Sequence, residues 1–261
     1  MAENDGSPLT TTIRSLEIIE LLEERQGARL TDIAEALDLP PSTVHGHLRT
    51  LERQDYVVQE GKIYDLGTKF LSFGDYVLNR KESYALADKY TEQVVEATSC
   101  RSIFAIEEHG KGVYISRDSG EHSQWRHETL GNRFHLHSTA AGKAIMAHLP
   151  KQRRRKIVER HGLSRETENT ITDEAELYAE LEEVRDRGVA FNREEQIEGI
   201  RAVSAPVFSE NDEVIGAFSA NGPANQMVGS WFETELPETL LGITNEFELE
   251  ISLGDYSAES P

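Results

Sequence analysis

Three breakers cut the first quarter of the chain into segments too short to fold alone. They are Gly27, the Asp38-Leu39-Pro40-Pro41 turn and Glu60-Gly61-Lys62. Thr11–Glu24 carries Ile13, Leu16, Ile19 and Leu22 at helical spacing, with Ile18 and Leu21 beside them. Leu30, Ile33, Ala34 and Leu37 mark a second short helix with Thr31 as its expected cap. Ser42 or Thr43 opens a third, through Val44, Leu48 and Leu51, behind prolines that cost little at a helix entrance. Tyr56-Val57-Val58 and Ile63-Tyr64 read as a hairpin turning at Gly61. Isolated helices of this length are marginal in water, so the pieces must share one core.

Three short helices followed by a hairpin is the order of a winged helix-turn-helix, whose recognition helix lies in a DNA major groove. Its base-facing set is Ser42, Thr43, His45, Gly46, His47 and Arg49. Arg53 would meet phosphates, and Lys62 stands at the wing tip. Such modules also serve protein contacts. A metabolite sensor acting through its winged helix on other proteins is therefore the competing reading.

Thr68–Arg80 holds Phe70, Leu71, Phe73, Tyr76, Val77 and Leu78 and reads as a linker helix able to pair with a second copy. A second domain begins at residue 82. Its expected helices are Tyr84–Ala97, Ser138–Leu149, Lys151–Arg160, Asp173–Arg187 and 234–253. Its expected strands are Ser102–Glu107, Val113–Ser116, Trp125–Glu128, Val189–Phe191, Ala202–Phe208 and Val214–Asn221. Strands mixed with helices of unequal length give an α+β chain with an α/β sensor domain. The expected division is a disordered 1–9, a winged helix-turn-helix over 10–67, a linker helix over 68–81, an effector domain over 82–255 and a disordered tail over 256–261.

The net charge opposes a DNA partner at first sight, but its distribution does not. The chain has 47 acidic and 27 basic residues, a net charge of −20. Such acidity repels nucleic acid. Yet 14 acidic and 8 basic side chains lie up to Arg80, and 33 and 19 beyond it. An excess spread this evenly reads as a surface adapted to very high salt, as in a halophilic archaeon, and not as the mark of a partner. No apolar run approaches the length of a membrane span. The N-terminus lacks the basic and apolar regions of a signal peptide. The lone Cys100 fits a reducing cytoplasm. A cytoplasmic chain without membrane partners is expected.

Two blocks carry a family resemblance. The first is Gly131-Asn132-Arg133-Phe134-His135-Leu136-His137-Ser138-Thr139-Ala140-Ala141-Gly142-Lys143-Ala144. The second runs from Gly188-Val189-Ala190-Phe191-Asn192-Arg193 through Gly199-Ile200-Arg201-Ala202-Val203-Ser204 to Ser219-Ala220-Asn221-Gly222-Pro223. With Pro41-Ser42-Thr43-Val44 and Tyr64-Asp65-Leu66-Gly67, they resemble the IclR family of transcriptional regulators over roughly residues 10–253.

The resemblance implies a GAF-like C-terminal effector domain, double-stranded promoter DNA as partner, and self-association to a dimer or tetramer. It also implies control by a small metabolite, without cofactor or catalysis. The family's effector pocket falls on Leu136, Ala140, Ala141, Asn192, Ile200, Ala202, Ser219 and Asn221. Asn192, Ala202 and Asn221 stand where an acid, a cysteine and a serine are frequent, which favours a polyhydroxylated acid or sugar. Gly46 stands where a basic residue is frequent.

Other residues receive plainer readings. His135 and His137 are too few for zinc, which needs three or four converging ligands, so local backbone bonds or the pocket wall are expected. Lys143 is expected in an ion pair, and Cys100 as a buried structural thiol. Ser138 and His137 are neighbours on an extended chain and point apart, which disfavours a nucleophile–base pair. Trp231 and Phe232 are expected at an interface, or closing the pocket.

High salt suppresses counterion release, the usual source of DNA affinity. The expected outcome is a promoter affinity that changes little, or rises, as KCl is titrated in. A steep fall would overturn it.

Overall fold

The computed structural model describes residues 8–120 and 130–258. The expected strand over Trp125–Glu128, with His122 and His127, lies outside the described residues. The chain divides between Leu78 and Asn79 into two units. No helix among the described residues is long and apolar enough to cross a membrane.

In the first unit, helix α1 (Thr10–Arg25) is followed by strand β1 (Ala28–Arg29) and helix α2 (Leu30–Ala36). Helix α3 (Pro41–Arg53), strands β2 (Val57–Glu60) and β3 (Ile63–Leu66), and helix α4 (Lys69–Asn79) complete it. The strands form one antiparallel sheet in the order β1-β3-β2. Ile18, Leu21 and Leu22 of α1 meet Ile33, Val44, Leu48, Leu51, Val57 and Tyr64 in one core. Gln26 closes α1 in the left-handed region, and Gly27 follows at a φ of +92°. A Cβ on Gly27 would stand 3.0 Å from Ile63 Cγ2.

Two expectations change here. Thr31 lies inside α2 and hydrogen-bonds Asp32, while Arg29 precedes the helix without a side-chain cap. Ile13 and Leu16 are exposed, because α1 buries the stripe through Ile18, Leu21 and Leu22 instead. Helix α4 buries nothing: Leu71, Phe73, Tyr76 and Val77 are all exposed. Its start is held by Tyr56, which stacks on Phe73 at 5.9 Å and meets Phe70 edge-on at 5.5 Å.

The second unit is built on an antiparallel six-stranded sheet in the order β6-β5-β4-β9-β8-β7. Its strands are β4 (Arg101–Glu108), β5 (Lys111–Asp118), β6 (Arg133–Phe134), β7 (Ala190–Arg193), β8 (Ile200–Phe208) and β9 (Val214–Pro223). Helices α6 (Ala87–Thr98), after the short α5 (Glu82–Ala85), and α10 (Leu236–Ala258) pack on one face. There Phe104, Phe218, Phe247 and Tyr90 form a contiguous aromatic cluster with centroids 4.7–5.5 Å apart along its chain of contacts. Helix α7 (Ala140–His148) covers the other face, joined by α8 (Lys151–His161) and α9 (Glu174–Arg187).

Sequence periodicity places most of these elements. It misses the two-residue strands β1 and β6, which exist only by pairing with distant neighbours. The helix expected over Tyr84–Ala97 is interrupted at Leu86. The tail expected from 256 is helical through Ala258.

Helix α7 sits directly on a 3-10 turn over Leu136–Ser138. A Cβ on Gly142 would lie 2.1 Å from the Leu136 carbonyl oxygen. Gly142→Ala should therefore cost at least about 1–3 kcal/mol, since backbone cannot yield as a flexible side chain does. An unchanged urea midpoint would refute this packing.

Candidate functional site

The first candidate site is the exposed side of α3. Val44, Leu48 and Leu51 turn inward. That leaves Ser42, Thr43, His45, Gly46 and Arg49 exposed, with Arg53 at the helix end and Lys62 in the hairpin turn also exposed. His47 departs from the expected set: it is half-buried, and its Nδ1 lies 2.8 Å from Ser15 Oγ of α1. Nothing stands within 4 Å of a Cβ built on Gly46. From Leu39 to Leu51 there is no carboxylate, in a chain with 47 of them.

The second candidate site is a cavity between the sheet and the start of α7, with about 590 Å³ of empty space counted to its open mouth. Strand register builds its floor. Arg101 on β4 faces Asn221 on β9, Asn221 faces Ala202 on β8, and Ala202 faces Asn192 on β7. All four line the cavity, and Ile103 and Ser219 stand opposite one another in the next row of that face. Thr139 caps α7, accepting from Gly142 N at 2.9 Å. Ala140 and Ala141 line the wall, and no intrahelical carbonyl can accept their N–H groups. Gln196, Ile197 and Ile200 close the side.

Seven of the eight residues expected at this site line it. Leu136 does not: it is buried in the core beneath α7. The polar members are not equivalent. Asn192 is firmly held, its Nδ2 donating to Ser138 O at 2.7 Å and its Oδ1 accepting from the N–H groups of Glu194 and Glu195. Asn221 and Ser219 make only long contacts of 3.3–3.4 Å. Sequence reasoning missed Arg101, Ile103, Tyr114, Thr139, Gln196, Ile197 and Gly222. Arg101 opens a recognisable strand, but only register reveals that it faces Asn221.

Ion pairs and hydrogen bonds hold the wall. Lys143 is buried, with its Nζ 2.6 Å from Glu195 and 3.3 Å from Glu180. Burial pushes the Glu195 carboxyl up, and Lys143 pulls it back. Ser138 donates to Glu166 at 3.0 Å, while His137 bonds the Ser164 carbonyl at 3.0 Å, so the two form no nucleophile–base pair. Neither histidine lines the cavity; His135 lies beside Lys111, its ring nitrogens 2.9 and 3.0 Å from Nζ. Among the described residues, no group of three or more His, Cys, Asp or Glu is placed to hold a metal. Cys100 is buried, and burial raises its thiol. Phe232 is fully buried against Phe191 at 5.2 Å, a core residue and not an interface one. Trp231 lines a second cavity beside the first.

Two family models cover nearly all of this architecture. The IclR helix-turn-helix domain matches residues 11–61, and the bacterial transcriptional regulator IclR C-terminal domain matches residues 76–245. The chain belongs to the IclR family of transcriptional regulators. Most of α4 falls between the two IclR matches. The probable HTH-type transcriptional regulator ArcR of Halobacterium salinarum is 30% identical over 96% of this chain and 97% of its own length. The crystal structure of the Thermotoga maritima IclR superposes with a TM-score of 0.78 at 27% identity, over 93% of this chain and 98% of that one. An IclR homolog of Microbacterium hydrocarbonoxydans, crystallised with 4-hydroxybenzoate, matches at a TM-score of 0.76 and 21% identity, over 92% of this chain and 99% of its own, and supports the fold alone.

Burial, then the Lys111 charge, holds the His135 imidazole below its ordinary value; burial also lowers His137, against its bond to Ser164. The folded domain thus resists protons that the unfolded chain accepts. This contribution to stability is present above the ordinary imidazole value of about 6.5 and is lost as pH falls from there through the lowered folded values. The urea midpoint should hold above about pH 6.5 and drop as pH falls below it, and His137→Gln should flatten that drop. Equal slopes in both proteins would rule the histidine out.

Proposed function

We propose that the chain is a ligand-responsive regulator that binds promoter DNA through α3 and the β2–β3 wing as a dimer or tetramer. A small organic acid, sugar acids included, held in the cavity of the second unit controls it. The carboxylate-free stretch from Leu39 to Leu51 in a chain of net charge −20 carries the DNA reading. Ser42, Thr43, His45 and Arg49 reach base edges, Arg53 and Lys62 reach phosphates, and His47 braces α3 on α1. Bare Gly46 allows close approach of the helix backbone.

Self-association is supported by the exposed apolar side chains of α1 and α4, which a lone chain leaves in water. An acidic effector is supported by the cavity lining, where Arg101 is the one charged side chain among the described residues. The α7 start adds N–H groups suited to a carboxylate. The acid bound by the Microbacterium relative accords with this. The Halobacterium relative and the evenly spread acidity support work at high salt, in the cytoplasm. A sensor acting only through protein contacts has no observation in its favour beyond the net charge.

Chromatin immunoprecipitation at native salt should give discrete promoter peaks bearing an inverted repeat. Arg49→Ala should lower affinity for those promoters by about 1–3 kcal/mol and relax one base preference, whereas Arg53→Ala should weaken all sequences alike. Absence of peaks for the wild-type protein would transfer the function to protein partners.

A further inference from the structure

Helices α8 and α9 enclose a cleft that shares no lining residue with the effector cavity. It has about 940 Å³ of empty space counted to its open mouth. Its two walls differ in charge. Lys151, Arg154 and Arg155 of α8 stand at i, i+3 and i+4, so they share one helix face. Glu174, Tyr178 and Glu182 of α9 stand four residues apart and form the stripe opposite. Glu159 of α8 completes the lining among the described residues, and it already holds Arg155 at 2.8 Å. Cations and carboxylates are therefore equal in number there. Helix α8 has six cations in 11 residues, in a chain with 27 cations and a net charge of −20. Adaptation of the surface to salt does not account for such a concentration.

Arg154 is the residue that calls for a ligand. Its side chain is only 3% exposed, yet it lines the cleft. Its Nε is buried without a hydrogen-bond partner. Its Nη1 reaches Glu182 at 3.4 Å, a long contact to an exposed carboxylate that lies just as far from Arg185. A buried guanidinium so weakly paired carries a desolvation cost that a carboxylate meeting its planar fork would offset. On the facing wall the Tyr178 phenol donates to Glu174, which orients that carboxylate. A simple anion would meet the carboxylates of α9, and a simple cation would meet the cationic face of α8. A molecule carrying both charges meets each wall with its opposite.

We propose that the α8–α9 cleft is a second ligand site that takes an amino-carboxylate zwitterion, with Arg154 pairing the ligand's carboxylate and Glu174 and Glu182 accepting from its ammonium. The site stands whether or not an acid occupies the effector cavity. The two are joined through α7: Arg185 of α9 donates to the Ala147 carbonyl near the end of that helix, and the first turn of the same helix lines the effector cavity.

The test measures calorimetric affinity of the full chain for the standard L-amino acids, 4-aminobutyrate and 6-aminohexanoate, with hexanoate and hexylamine as single-charge controls. At least one zwitterion should bind, roughly tenfold or more tightly than either control. Arg154→Gln should weaken that zwitterion roughly tenfold or more, as loss of a charge-assisted pair implies. Glu174→Gln, an exposed substitution that leaves the core untouched, should weaken it as well and carries the test if the Arg154 variant does not fold. Asn221→Ala, in the effector cavity, should leave it unchanged. Hexanoate binding as tightly as the best zwitterion, or Glu174→Gln binding like wild type, would overturn the proposal. So would binding lost in Asn221→Ala, which would move the ligand to the effector cavity. No binding of any zwitterion by the wild-type chain would overturn it too, and would leave the acid-effector reading in place.

Discussion

The cavity of the second unit depends on a single buried cation. Lys143 sits on α7 with its ammonium out of water, between Glu195 of the β7–β8 connection and Glu180 of α9. An interior ion pair repays its desolvation only with good geometry and further hydrogen bonds, so it acts more by selecting one arrangement than by adding stability. The connection that carries Glu195 is held separately, through its backbone. Asn192 Oδ1 accepts from two successive backbone N–H groups, and the Thr167 and Thr170 hydroxyls donate to the Glu194 and Glu195 carbonyls. Together they fix the segment that presents Gln196 and Ile197 to the cavity, and they fix it against the helix whose first turn forms the opposite wall.

Charge is organised around function in both units. The chain carries a large acidic excess, yet α3 up to Leu51 is free of carboxylates, and so, among the described residues, is the lining of both adjoining cavities. At high salt the long-range field of the acidic surface is screened to a few ångströms, so local composition decides what an anion meets. A strongly acidic body and the anion-binding surfaces proposed above are thus compatible in one molecule.

Much of this was legible beforehand because it is local. Breakers, helical spacing and proline placement gave the winged helix from Ile18, Val44, Leu48 and Leu51 outward. Motif resemblance located seven cavity residues. The failures share one cause, contacts that exist only once the chain is folded. His47 looks like its neighbour His45 until Ser15 arrives from another helix. Asn192 looks like a ligand-facing amide until Ser138, Glu194 and Glu195 consume it. Leu136 lies in the right motif, but Gly142 lets α7 settle onto its backbone, and its side chain turns into the core.

By itself, the order of residues determined which segments become helices and strands, that the chain is an IclR-type regulator in outline, and where its acidic groups are withheld. Those properties follow from periodicity and composition, which act over a few residues. Tertiary structure alone decided that Arg101, Asn221, Ala202 and Asn192 form one row, because register across four strands depends on pairing and not on any strand's own pattern. It also decided which polar groups remain available, since a hydrogen-bonding group is free or spent only once its distant neighbours are in place.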